Sequence, residues 1–214
     1  MMPGRVEEPP RDCPLCPRLA AFREHWRRVE PSWHNAPVPT FGAHDAPLLI
    51  VGLAPGLRGA NRTGRPFTGD YAGDLLYATL LKFGFATGTY RADPADRLCL
   101  IGAAITNAVR CVPPENKPTP AEAHTCRQFL EATLAMRPAR AVLALGRVAH
   151  ESVLRAYGAR IATHPFVHGA VHKLGEGSLY DSYHCSRYNT NTGVLTTAMF
   201  EAVFARIRAH LDAE

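Results

Sequence analysis

Four consecutive apolar residues, Leu48-Leu49-Ile50-Val51, stop at Gly52, and a glycine-rich loop runs from there to about Asp70. A run that is apolar at every position has no polar face to show to water. It therefore reads as a strand covered on both sides. Residues 98–109, 141–145 and 179–185 are three further β-leaning runs. Helix-spaced apolar residues lie between and around them, over 18–29, 71–83, 118–136, 148–157 and 196–211. Strands that alternate with helices predict an α/β fold, a three-layer α/β/α sandwich around a mostly parallel four-stranded sheet. With no repeat and no long linker, residues 1–214 are expected to form a single domain. Ligands of such sheets bind beyond the C-terminal strand ends. The loops after Val51, Val109 and Tyr183 lie there, and they hold the residues with chemical character.

Composition excludes several classes. Hydrophobic residues make up 46% and charged residues 20%, too apolar and too weakly charged for wholesale disorder. No apolar run approaches the ~20 residues of a membrane span. The first 12 residues are polar and contain proline, so no secretory signal and a cytoplasmic address are expected. In that compartment the six cysteines read as thiols or metal ligands rather than disulfides. The net charge of +5 fits a phosphate-binding protein but is common among soluble enzymes. Of the 24 cations only Lys82, Lys117 and Lys173 are lysines, which limits any chemistry that needs an amine nucleophile.

Cys13 and Cys16 form a C-x-x-C, and Cys111 and Cys126 lie far downstream. Two close thiolates can grip one metal, and two more complete four-coordination. The alternative is a redox dithiol, but that motif belongs after a strand rather than in this opening segment. Zinc and an iron–sulfur cluster both accept four thiolates. Cys99 and Cys185 have no assigned role.

The loop after the first strand reads Gly52-Leu53-Ala54-Pro55-Gly56, then Asn61-Arg62-Thr63-Gly64-Arg65-Pro66-Phe67-Thr68-Gly69-Asp70. It lacks the Gly-Lys-Ser/Thr of a P-loop, and G-x-G-x-x-G is absent, so the usual marks of nucleotide hydrolysis and dinucleotide binding are missing. Phe67 can stack on a planar ligand or plug the core. Asp70 can cap the following helix or act as a base. His164, His168 and His172 are four apart, but Pro165 and Gly169 break any helix that would align them. They leave a metal-dependent hydrolase as a rival reading. His184 stands at a strand end, before the turn-prone Ser186-Arg187-Tyr188-Asn189-Thr190-Asn191. It is either a donor to a developing anion or a structural histidine. Arg187, Asn189 and Asn191 suit phosphates and base edges.

Together these segments resemble the uracil-DNA glycosylase superfamily, and within it the iron–sulfur members of family 5, the UDGb type. The resemblance rests on Cys13-Pro-Leu-Cys16, Gly52-Leu-Ala-Pro-Gly56 with the Asn61–Asp70 run, Val109-Arg-Cys111-Val-Pro-Pro-Glu-Asn-Lys-Pro-Thr-Pro120 with Cys126, and the late His184-x-Ser-Arg-x-Asn-Thr. It implies a 4Fe–4S cluster on Cys13, Cys16, Cys111 and Cys126. It also implies removal of uracil and other deaminated bases from DNA, with the nucleotide flipped into a pocket. On that resemblance Phe67 stacks on the base, and Gly52, Leu53, Ala54 and Gly56 line its site. His184 stabilises the leaving anion, and Asp70 orients or activates water. Ser186, Arg187, Asn189 and Asn191 meet the DNA in the minor groove, and Arg62 and Arg65 add charge in the pocket loop.

Two departures matter. Leu53 stands where several related families carry a polar or acidic residue, which raises the weight on Asp70. Asn107 falls where family 4 members carry an asparagine that reads the uracil edge. The lysine count predicts a monofunctional enzyme, because a lyase needs an amine for its Schiff base. The expected partner is DNA containing uracil or other deaminated bases. The chain is expected to be a monomer acting at the nucleoid. The rival outside enzymes is a non-catalytic nucleic-acid-binding protein with a structural four-cysteine metal site.

Overall fold

The structure is a computed structural model that describes residues 8–43, 45–136 and 139–213. Residues 1–7 of the polar start lie outside the described residues. The strands are β1 (Phe41–Gly42), β2 (Leu48–Gly52), β3 (Ala86–Thr87), β4 (Cys99–Leu100), β5 (Ala103–Asn107), β6 (Ala141–Leu145), β7 (Val171–Leu174) and β8 (Gly177–Ser182). The helices are α1 (Pro17–Val29), α2 (Ala60–Thr63), α3 (Tyr71–Lys82), α4 (Pro120–Met136), α5 (Arg147–Ala156), α6 (Arg187–Asn191) and α7 (Thr197–Asp212).

The main sheet has the order β1-β5-β2-β6-β8-β7. Its four inner strands are parallel, and β1 and β7 join the edges antiparallel. β2 is buried at every position and lies at the centre, with Ile50 opposite Ile105 on one side and Leu143 on the other. Its alternate residues serve two cores. Leu48 and Ile50 face Leu76, Leu80, Phe200 and Phe204 of α3 and α7. Leu49 and Val51 face Leu130, Val153 and Leu154 of α4 and α5. That division is the physical content of the apolar run: each face of the strand has its own helical layer.

The sheet has six strands where four were expected. The four expected runs are the four parallel strands, and the two additional ones are edges. β1 is only two residues long, and β7 is a half-polar Val-His-Lys-Leu, so neither carries a readable period. The run expected over 98–109 is interrupted at Gly102, whose φ of +60° turns the chain. Cys99 and Leu100 pair with Thr87 and Ala86 in a separate two-stranded sheet. No helix among the described residues is long and apolar enough to cross a membrane.

Candidate active site

The loops leaving β2, β5 and β8 at their C-terminal ends enclose a cavity of about 360 Å³. Its walls include Leu53, Ala54, Pro55, Gly56, Phe67, Asp70, Tyr71, Asn107, Asn116, His184, Ser186 and Arg187. Gly52, expected in the wall, is not a lining residue but packs tightly against two residues that are. A Cβ there would lie 2.5 Å from Asn107 Oδ1 and 2.6 Å from Phe67 Cζ, so only glycine lets both side chains reach the cavity. The loop is then stitched to the strand beside it, with Ala108 N–H donating to the Gly52 carbonyl at 2.9 Å and Val109 N–H to that of Leu53 at 3.0 Å.

Asp70 does two things at once. Its Oδ1 accepts from Gly73 N–H at 3.2 Å and caps α3, while the residue also lines the cavity. Burial raises its pKa above the ordinary 3.8, against the Gly73 hydrogen bond that lowers it. Across the cavity, the His184 ring lies 6.0 Å from that of Phe67. Burial lowers its pKa to about 4, so the imidazole is neutral at physiological pH. No hydrogen bond to its ring is present among the described residues. Asn107 is buried, and its Oδ1 has no hydrogen-bond partner among the described residues. An unpaired buried amide oxygen costs about 1–3 kcal/mol unless a ligand completes it.

The cysteines form a second centre. Cys13, Cys16, Cys111 and Cys126 line one small cavity between α1, α4 and the segment after β5. Arg110 N–H donates to Cys126 Sγ at 3.3 Å, and Arg23 Nη1 approaches Cys111 Sγ at 3.7 Å. Burial pushes the Cys111 thiol up to about 12 and the Cys16 thiol up to about 11. Thiols packed this closely in a dry place need a cation to ionise. The donor set fits a four-thiolate group. An all-thiol set suits a zinc ion or an iron–sulfur cluster. A separate group, His150, His172 and Asp181, places three potential ligand atoms within 4.8 Å of one another.

The expected DNA-facing residues divide. Arg62 and Arg187 are exposed, the latter over the Tyr71 ring at 5.2 Å on the cavity rim. Ser186 caps α6, Asn189 Nδ2 donates to the His184 carbonyl at 2.8 Å, and Asn191 is exposed at the end of α6. Arg65 does not reach the DNA face, contrary to expectation. Its guanidinium is buried, pairs bidentately with Asp96 at 2.7 and 2.8 Å, and donates to Thr68 Oγ1 at 2.7 Å. The pairing holds the Asp96 carboxyl well below the ordinary carboxylate range.

The histidines of the rival hydrolase do not converge on an ion. His168 Nδ1 accepts from Tyr183 N–H at 3.1 Å, and His164 Nδ1 lies 2.9 Å from the Arg160 carbonyl. His172 instead joins His150 around the buried Asp181, at 3.1 and 2.7 Å. The other His150 nitrogen lies 2.9 Å from the His164 carbonyl. A 2.7 Å nitrogen–oxygen separation is a hydrogen bond, shorter than the ~3.3 Å between ligands sharing one zinc.

Tyr71 and Asn116, which line the cavity, and Tyr188 in α6 beside it were given no site role from sequence. Asn116 sits in the 114–116 turn with φ +56°, and its only sequence signal was an asparagine in a proline-rich loop. Tyr188 is 74% exposed in α6, next to the rim. A large aromatic amid turn-forming polar residues was the available clue.

Comparison with known proteins agrees with this geometry. The sequence matches the uracil DNA glycosylase superfamily over residues 39–208. A type-5 uracil-DNA glycosylase of Thermus thermophilus is 48% identical over 196 residues, which cover 88% of this chain and 89% of that protein. A type-5 enzyme of Pyrobaculum aerophilum is 40% identical over 92% of this chain and 88% of its own length. A type-4 uracil-DNA glycosylase of Archaeoglobus fulgidus is 34% identical over 64% of this chain and 62% of its own. With its pocket at the strand ends and this extent of similarity, the chain belongs to the uracil DNA glycosylase superfamily.

Proposed function

We propose that the protein is a monofunctional glycosylase that removes uracil, and other deaminated bases that fit the same pocket, from DNA. The observation that carries this reading is the convergence of Asp70, Asn107, Phe67 and a neutral His184 on one cavity. A base flipped out of the duplex stacks on Phe67, and Asn107 completes its unpaired Oδ1 on the base's N–H edge. As the glycosidic bond breaks, its electron pair passes to the base, and the His184 N–H donates to the base oxygen that takes up the charge. Asp70 orients the attacking water and accepts its proton while its carboxylate faces the cationic sugar. The water oxygen ends on the sugar carbon, and the products are the free base and an intact abasic site. No lysine lines the cavity, which supports hydrolysis without a Schiff base.

Arg62, Arg187, Ser186, Asn189 and Asn191 border the cavity or its rim loops and serve the phosphates. Tyr188 extends from the same loop and fills the gap left in the duplex, in the manner of minor-groove wedges. Tyr188→Ala is therefore expected to slow excision from duplex far more than from a single strand. Equal rates for variant and wild type on duplex would remove that role.

The four cysteines hold a 4Fe–4S cluster. Its support is the all-thiol donor set lining one small cavity, and the Arg110 N–H and Arg23 guanidinium directed at the sulfurs. The cluster supplies a covalent cross-link between α1, α4 and the segment after β5. It takes no part in the bond cleavage.

The substrate assignment is tested at Asn107. Removing the amide in Asn107→Ala is expected to cost uracil excision about ten- to a hundredfold, the worth of one or two hydrogen bonds in a dry site. A base lacking the matching N–H should be affected less. Unchanged rates on every base would contradict the assignment.

A further inference from the structure

Phe67 has φ +53°, in the left-handed region that a bulky aromatic residue rarely adopts. Such a conformation persists only where its surroundings over-determine it. Here two tyrosines do so from behind the cavity. Tyr77 Oη donates to the Pro66 carbonyl at 2.6 Å, and Tyr90 Oη donates to the carbonyl of Phe67 itself at 3.2 Å. Their rings stack at 4.5 Å. The Arg65 guanidinium lies 5.5 and 5.9 Å from their centroids and is fixed in turn by Asp96. Gly73 of α3 completes the cradle, because a methyl group there would overlap the Phe67 carbonyl.

We infer that Tyr90, with Tyr77 behind it, is a positioning residue that holds the Phe67 ring ready for the flipped base. This rests on the glycosylase reading above and adds to it the group that sets the platform. The Tyr77 ring is fully buried and serves packing as well. Tyr90 is half-buried, and a phenylalanine would fill the same apolar space. Its hydroxyl is therefore the informative atom. Two carbonyls held by two hydroxyls fix the peptide on each side of the Phe67 α-carbon, so the ring direction is set before the base arrives. Preorganisation of this kind lowers the cost of capture rather than the barrier to chemistry. Its effect should scale with how hard the base is to extract.

The test is Tyr90→Phe, alone and combined with Phe67→Ala, in single-turnover excision of uracil from a U·A duplex and from a single strand. We expect a folded protein that melts with the wild type. Excision from the duplex should slow about five- to tenfold, as for the loss of one neutral hydrogen bond, with the single-strand rate little changed. The double variant should be no slower than Phe67→Ala, since both changes act through one ring. A para-fluorophenylalanine label at position 67 should give one sharp fluorine resonance in the wild type and a broadened or split one in Tyr90→Phe. Equal slowing on both substrates, additive losses, or an unchanged resonance would overturn the inference. If the resonance responds but the wild type releases no uracil, the brace stands and the glycosylase reading fails.

Discussion

Asp70 is asked to cap a helix and to work as a base, and the two jobs can be separated by one atom. Asparagine caps as well as aspartate, so Asp70→Asn keeps the bond from Gly73 N–H and loses the base. The folded pKa of Asp70 is raised, so ionising it costs stability as pH rises above 3.8. Removing the charge should therefore leave the melting temperature at pH 7 equal to or above that of the wild type, while excision falls about a hundredfold or more. For the wild type, kcat/KM should rise with pH through the raised pKa of Asp70. His184 is already neutral over that range above about pH 4. A variant that melts lower and keeps its activity would reverse both assignments. At this scale the sequence pointed to the loops that wall the cavity, Leu53 to Gly56, Phe67 to Asp70 and His184 to Arg187, but not to Asn116. It misled at Arg65, where the glycine-rich loop looked solvent-facing. The guanidinium's partners, Asp96 and the aromatic rings of Phe41, Tyr77 and Tyr90, come from elements far apart in the chain. No local pattern marks such a contact.

Elements were legible in proportion to their length. α3, α4, α5 and α7 lie within a residue or two of their expected limits, because ten or more residues display a helical period. Pairing in β1, β3, β4 and β7 is set by neighbours, and two to four residues cannot show it. The start of α4 shows a local signal reinforced by a distant one. Thr119 Oγ1 accepts from Glu122 N–H at 3.2 Å, and Glu122 Oε2 accepts from Thr119 N–H at 2.8 Å, a reciprocal cap. The same carboxylate accepts from Arg18 Nε and Nη2 at 2.8 and 2.7 Å, which ties α4 to α1. Burial alone would raise the Glu122 pKa, and the Arg18 and Thr119 donors outweigh it, so the pKa is lowered. Its stabilisation is present above the ordinary 4.5 and is lost as pH falls through the lowered value. Glu122→Ala is expected to cost about 1–2 kcal/mol in urea titration and to speed loss of the visible absorbance of the proposed cluster, because the two bridged helices carry or adjoin Cys16 and Cys126. Arg18 is partly exposed, so most of that cost belongs to the cap. Identical melting and bleaching in the variant would show that the bridge does not support the cysteine centre.

Across the whole molecule, the buried charges largely cancel and leave the excess positive charge at the surface, because Glu122, Asp181 and the Asp96 side chain are buried as well as three arginines. Arg23, Arg65 and Arg110 are buried. Arg110 binds Glu8, Thr40 and Thr133 at 2.6, 3.0 and 3.0 Å, which helps to wall in the cysteine centre. None of the three lysines lines the cavity: Lys82 pairs with Glu201, Lys173 donates to the Glu176 carbonyl, and Lys117, next to the lining residue Asn116, is highly exposed. The resulting division is simple. On the proposed reading, one centre, built on sulfur, braces the helices against β5, and the other, built on Asp70, Asn107 and His184, cuts the bond without a labile metal or an amine. The most direct measurement incubates the protein with a duplex carrying one uracil, in EDTA and borohydride, and follows both the free base and the strand. The account predicts release of free uracil, a strand that stays whole until alkali is added, and no trapped protein–DNA adduct. Failure to release uracil, or a strand broken with a borohydride-trapped adduct, would contradict it.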